Sequence, residues 1–162
     1  MSRGGLVSIR PMTPADVDCV VAIASQLSQA PQWPRDVYQA MLDPESAPKR
    51  IALIAEIAET GSMAGFSVAR LMAPEAELEA IAVAAEFQRR GVARQLVRAL
   101  TEDLRRAQVT EIWLEVRASN QPARALYGSI GFREEGGRRS YYADPVEDAV
   151  LMRMQICSPQ PG

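Results

Sequence analysis

The chain has 162 residues, of which 48% are apolar and 23% charged, with a net charge of -2 and no histidine. That length and apolar share suit one compact domain with one core, burying roughly 70% of the unfolded surface. The charge balance lacks the basic excess of nucleic-acid binders, and the missing histidine removes Ser-His and Cys-His nucleophile systems and most zinc sites.

Val7 to Arg10 reads as an opening strand. Thr13, Pro14 and Asp16 then supply an N-cap, a first-turn proline and an early acid, predicting a helix. Its Val17, Val20, Val21, Ala24 and Leu27 keep helical spacing and form one buried stripe, with Cys19 off it. The stretch from Ala30 to Pro34 breaks this helix. Val37, Tyr38, Met41 and Leu42 share a face of a second, short helix that Asp43-Pro44 stops.

Three strand-like runs follow, Ile51 to Ala58, Ala64 to Met72 and Leu78 to Val83, with turns at Thr60-Gly61-Ser62 and Ala73-Pro74-Glu75. Such short turns predict an antiparallel meander. From Val92 to Ala107 the residues Val92, Leu96, Leu100 and Leu104 recur every four positions, the strongest helical signal in the chain. Ile112, Leu114 and Val116 alternate through a further strand. Asn120 and Pro122 open a helix carrying Ala123, Leu126, Tyr127 and Ile130, and Gly131 ends it. Val150, Met152, Met154 and Ile156 mark the last strand of two, before a tail at 158–162 expected to be disordered.

The expected architecture is α+β (α/β): a mixed sheet of about seven strands with about four helices, in one domain over 1–157. Cys19 and Cys157 make no metal or redox spacing, which predicts free thiols in a reducing compartment. No run approaches the ~20 apolar residues that span a bilayer, so the expected location is cytoplasmic. Neither nucleic acid nor a membrane is an expected partner, and oligomeric state has no signature here.

Between the fourth strand and the long helix lies Gln88-Arg89-Arg90-Gly91-Val92-Ala93-Arg94. A permissive glycine at the start of an amphipathic helix exposes backbone N–H groups at the positive end of the helix dipole. With Arg89, Arg90 and Arg94 beside it, this turn suits a pyrophosphate. It is not a Walker A loop, since no Gly-Lys-Ser/Thr follows, and an arginine-flanked helix start also fits a solvated surface. Glu115 stands in mid-strand among Trp113, Leu114 and Val116, where an uncompensated carboxylate is expensive to bury. It calls for a cavity or for a partner such as Arg117 or Arg139.

The runs Ile81-Ala82-Val83, Phe87 to Arg94, Trp113 to Asn120, Ala125-Leu126-Tyr127 and Ile130-Gly131-Phe132 resemble the GNAT acetyltransferase superfamily. Pro31-Gln32-Trp33, Arg138 to Tyr142 and Glu147-Asp148-Ala149 are similar to its RimI branch, the ribosomal-protein-alanine N-acetyltransferases. The resemblance covers nearly the whole chain. It implies a sheet splayed between strands four and five, acetyl-CoA as co-substrate, no metal, and direct transfer without a covalent enzyme intermediate. The implied acceptor is a protein or peptide N-terminus, here the N-terminal alanine of a small-subunit ribosomal protein. Lysine or small-molecule amines are alternative acceptors, and a non-catalytic acyl-CoA-binding module is a further alternative.

By the same resemblance, the backbone of Ile81, Ala82 and Val83 holds the pantetheine arm, and Gln88 to Arg94, including Val92 and Ala93, holds the pyrophosphate. Asn120 contacts the coenzyme, a role compatible with plain N-capping. Tyr127 matches the general acid and Glu115 the general base. Glu79, on the same side of its strand as Glu77, resembles the place where other GNAT enzymes carry their base. Trp33, Tyr141 and Tyr142 border the acceptor. Strand alternation allows at most one of the two tyrosines to face the core while the other faces a site, with Tyr142 favoured for the acceptor. Ala93 stands where many members have glycine, and Ala80 replaces a polar residue before Ile-Ala-Val.

Overall fold

A computed structural model describes residues 6–143 and 146–156, so Cys157 and the expected tail lie outside the described residues. Seven strands join in the order β1-β2-β3-β4-β5-β7-β6. These are β1 (Val7–Pro11), β2 (Arg50–Ile57), β3 (Met63–Met72), β4 (Glu75–Val83), β5 (Glu111–Arg117), β6 (Arg133–Ala143) and β7 (Val146–Gln155). The helices are α1 (Val17–Ser25), α2 (Arg35–Met41), α3 (Val92–Arg106) and α4 (Gln121–Ile130). The described residues form two compact units, 6–71 with Leu78–Asp103, and Met72–Glu77 with 104–143 and 146–156.

In the first unit, β1 and β2 pair antiparallel, as do β2 and β3. The expected helix start at Thr13 is present, but Pro14–Asp16 forms a single 3-10 turn before α1 begins. The Thr13 N–H and hydroxyl both donate to the Asp16 carboxylate, at 2.8 and 3.1 Å. Arg10 donates to both oxygens of the same group at 2.8 Å. These bonds let a carboxylate sit buried, and the Arg10 guanidinium, as the largest cause, holds the Asp16 pKa down at about 2.

The α1 stripe packs with Tyr38 and Met41 of α2 on Ile54, Phe66, Val68, Ala80 and Ala82. Ala80, one of the two departures from the resemblance, therefore belongs to this core. Tyr38 meets Phe66 edge-on at 6.1 Å between ring centroids. The Gln32 side chain donates to the carbonyls of Ala24, Leu27 and Ala30, closing the end of α1 and fixing the loop that follows.

In the second unit the head of β4 pairs in parallel with β5, Glu75 to Glu77 against Glu111 to Trp113. The sequence reading starts this strand at Leu78. The three earlier residues extend because Ala73-Pro74 alone completes the turn, and they supply every parallel rung. β5 pairs antiparallel with β7, whose other edge takes β6. Ile112, Leu114 and Val116 are buried on one face, whereas Glu111, Trp113, Glu115 and Arg117 line the other.

Candidate active site

In the first unit, the part of β4 from Leu78 onward alternates, with Ala80 and Ala82 buried and Ile81 and Val83 half-buried. A Cβ on Gly65 of β3 would collide with the Ala82 carbonyl oxygen, so glycine permits this close backbone approach. Gln88 then donates from its side chain to the Val83 carbonyl at 3.0 Å, tying the turn back to the strand end. Arg89 and Gly91 both adopt positive φ, at 65° and 81°. The first helical bond of α3 runs from the Gln95 N–H to the Gly91 carbonyl at 3.0 Å. The N–H groups preceding Gln95 at the helix start are thus directed out of its end. Open space surrounds the position a Cβ would take on Gly91, while Arg89 and Arg90 are exposed and the Arg90 guanidinium lies 5.8 Å from the Phe87 ring. Outward donors, cationic flanks and an open glycine fit a diphosphate.

In the second unit, Glu115 projects from the middle of β5 with its side chain 14% exposed. One oxygen, Oε1, lies 3.5 Å from Nε of Arg138, while the buried Oε2 has no hydrogen-bond partner among the described residues. Phenols gather on the same carboxylate. Burial foremost and Glu115 next push up the pKa values of both Tyr141 and Tyr142. Burial also pushes Tyr127 up to about 12, with Tyr142 contributing further. The Tyr127 ring rests edge-on against the buried Phe132 at 5.7 Å. The Arg117 guanidinium sits 4.3 Å from the Tyr142 ring centre and is anchored by Glu147 at 3.4 Å. A carboxylate held beside protonated phenols provides a proton acceptor and a proton donor.

The sequence profile described as the Acetyltransferase (GNAT) family matches residues 20–132 of this chain. The chain belongs to the GNAT acetyltransferase family. It is 43% identical over 103 residues to the ribosomal protein bS18-alanine N-acetyltransferase of Escherichia coli strain K12, covering 62% of this chain and 70% of that one. A crystal structure of the ribosomal-protein-S18-alanine N-acetyltransferase from Escherichia coli superposes with a TM-score of 0.80 at 30% identity, over 97% of this chain and 98% of that one. Ard1 from Thermoplasma volcanium shares the fold with a TM-score of 0.80 at 24% identity, over 94% and 99% of the two chains. As a GNAT enzyme, the chain is an acetyl-CoA-dependent N-acetyltransferase of the RimI-like kind.

Within this GNAT chain, the residues read from the sequence fall into distinct surroundings. Asn120 caps α4, its side-chain oxygen accepting from the Ala123 N–H at 3.2 Å. Glu79 is bound by Arg50, at 2.7 Å from Nε, a partner the sequence pattern did not suggest. Trp33 packs against Tyr38 at 5.5 Å and joins the margin of the first unit's core. Cys19 is exposed.

Glu115 meets Arg138, a partner the sequence pattern did not suggest, while Arg117 is held by Glu147 and lies against the Tyr142 ring. One expectation needs correction. Tyr141 and Tyr142 do not divide between two faces, for their ring centroids are only 5.1 Å apart. The cause is a break in the β6–β7 register between Arg138 and Tyr142, where Ser140 takes φ 49° and its N–H donates to Asp148 at 2.8 Å.

Proposed function

We propose that this chain acetylates the N-terminal α-amine of a protein, with the N-terminal alanine of ribosomal protein bS18 as its acceptor. The observation that carries this reading is Glu115: a mid-strand carboxylate with one buried oxygen that has no hydrogen-bond partner among the described residues, beside Tyr141 and Tyr142, with Tyr127 next to Tyr142 in turn. The names of the relatives support the choice of acceptor.

When bound, acetyl-CoA supplies an activated acetyl thioester. The turn from Gln88 to Arg94 holds its diphosphate, and the backbone of Ile81, Ala82 and Val83 holds its pantetheine arm. Asn120 adds a contact while keeping its capping bond. Glu115, directly or through water, takes the proton that the amine loses as its nitrogen attacks. Tyr127 retains its proton well above neutral pH and delivers it from the phenol oxygen to the departing sulfur. Trp33, Tyr141 and Tyr142 border the acceptor. Glu79, already bound to Arg50, is the second candidate base.

Acceptor ionisation favours an α-amine. With a pKa near ~8, about a tenth of it is neutral at pH 7, against less than about a thousandth of a lysine near ~10.4. One half-buried carboxylate without histidine suffices for the former. A ribosomal acceptor places the reaction in the cytoplasm, and among the described residues no helix is long and apolar enough to cross a membrane.

The test is turnover by the purified full chain with acetyl-CoA and peptides beginning in alanine, read as CoA release and peptide mass. Acetylation of the α-amine is expected. Brisk turnover on lysine or a polyamine with none on any α-amine would falsify the proposal.

A further inference from the structure

Glu115 and Arg138 meet without a close bond. Directly opposed strand residues share a face, and the register places Glu115 opposite Leu151, Arg117 opposite Ala149, and Arg138 opposite the same Ala149. Arg138 thus reaches across β7 toward the β5 carboxylate from the outermost strand. Its Nε stays 3.5 Å from Oε1, its side chain is 58% exposed, and its guanidinium leans over the Tyr141 ring at 5.5 Å. Register breaks flank it on β6, between Glu134 and Gly136 and between Arg138 and Tyr142. Arg117, by comparison, is anchored by both Glu147 and Tyr142. A loosely attached, mostly exposed cation therefore sits against a carboxylate whose buried Oε2 lacks a donor among the described residues.

We propose that Arg138 occupies, in the free enzyme, the place of the acceptor's α-ammonium on Glu115, and that the incoming amine displaces it. This rests on the reading of Glu115 as the base for an α-amine. Most α-amines arrive charged at neutral pH. The ammonium replaces one cation by another on Glu115, and its several N–H donors also suit the unpartnered Oε2. The displaced guanidinium turns outward along Tyr141 into solvent, a small change for a side chain already more than half exposed. Arg138 is accordingly a positioning residue. It spares the carboxylate an uncompensated charge between turnovers and penalises acceptors that cannot supply a cation in its place.

The test compares Arg138→Met, which keeps a long side chain without charge, with Arg138→Lys, using alanine-first peptides. Displacing an exposed ion pair costs little, so the expected change is a fall in KM of about threefold for Arg138→Met, with kcat within about twofold. Arg138→Lys should restore the wild-type KM. An unchanged or raised KM in Arg138→Met, or a loss confined to kcat, overturns the proposal. A readout independent of turnover and of variant folding is the Arg138 Nε–H resonance of the wild-type chain, titrated with L-alaninamide. It should shift and lose protection from exchange as the amine binds, and a resonance that stays unmoved at saturating amine also overturns the proposal. Should the wild type acetylate no α-amine, the functional reading fails alone, while this titration still decides whether an amine displaces Arg138.

Discussion

Tyr141 and Tyr142 are consecutive in one strand, yet their rings meet edge to face at 5.1 Å. Regular pleating would send them to opposite faces. The left-handed conformation of Ser140 makes the pairing possible and brings both phenols near Glu115. A β-branched residue resists that conformation, so Ser140→Val should destabilise the fold by about 1 to 2 kcal/mol and raise the peptide KM, while Ser140→Gly should do neither. Thermal melts and steady-state kinetics on an alanine-first peptide check this.

The proton on Tyr127 leads to a second expectation. Tyr127→Phe should lower kcat on the order of 10²-fold or more with coenzyme affinity nearly kept. Burial raises the phenol pKa to about 12, so the wild-type kcat should show no loss of this acid up to about pH 10. The same shift has a stability consequence. Tyr127 favours the fold below the ordinary 10.0, and that contribution disappears as pH climbs toward about 12. A pH-rate profile and alkaline unfolding curves measure the two effects.

The turn proposed to hold the coenzyme and the strand that leads into it depend on glycines for different reasons. At Gly91 a side chain has room but not the backbone conformation, so Gly91→Ala should cost about 1 kcal/mol and weaken CoA binding moderately. At Gly65 the conflict is spatial, because the new methyl meets the Ala82 carbonyl oxygen in backbone that cannot easily yield. Gly65→Ala should therefore be the more damaging change, by several-fold in CoA affinity measured calorimetrically.

Acid sensitivity should trace partly to Asp16. Its carboxylate is held near pKa 2 in the fold against the ordinary 3.8, so its contribution is complete above 3.8 and lost as pH falls through about 2. Linkage puts that contribution at about 2 kcal/mol. Asp16→Asn should be less stable than wild type by about that amount at neutral pH, and the gap should close in acid. Urea titrations at several pH values would reveal it.

Much of the fold was legible because its signals are local. The four-residue recurrence from Val92 placed α3 to within a residue of its end, and the alternation around Leu114 placed β5. Gln88 to Arg94 could be read as a turn entering a helix because glycine and the start of that recurrence coincide. Contacts across strands were less accessible. Arg50 with Glu79 and Arg138 with Glu115 join residues far apart in sequence, and the second depends on a register break that no composition pattern marks. Gly65 went unnoticed for the same reason, since its close neighbour Ala82 lies on another strand.

Tyr38 supplies a further expectation from the core. Its ring is fully buried and its hydroxyl has no hydrogen-bond partner among the described residues. Removing such a group relieves an unmet desolvation cost, so Tyr38→Phe should match or exceed wild-type stability by up to about 1 kcal/mol. A lower midpoint in denaturant would contradict this.

The irregularity of β6 also bears on how the chain behaves among its own copies. As the last strand in the sheet order, β6 ends in a row of backbone groups that a straight ribbon would offer to any extended peptide. Its interrupted ladder and the charges of Arg133, Glu134, Glu135, Arg138 and Arg139 make that margin a poor template for fibre-like stacking. The same kinks that gather the tyrosines thereby also leave that margin ill suited to pairing with another extended chain.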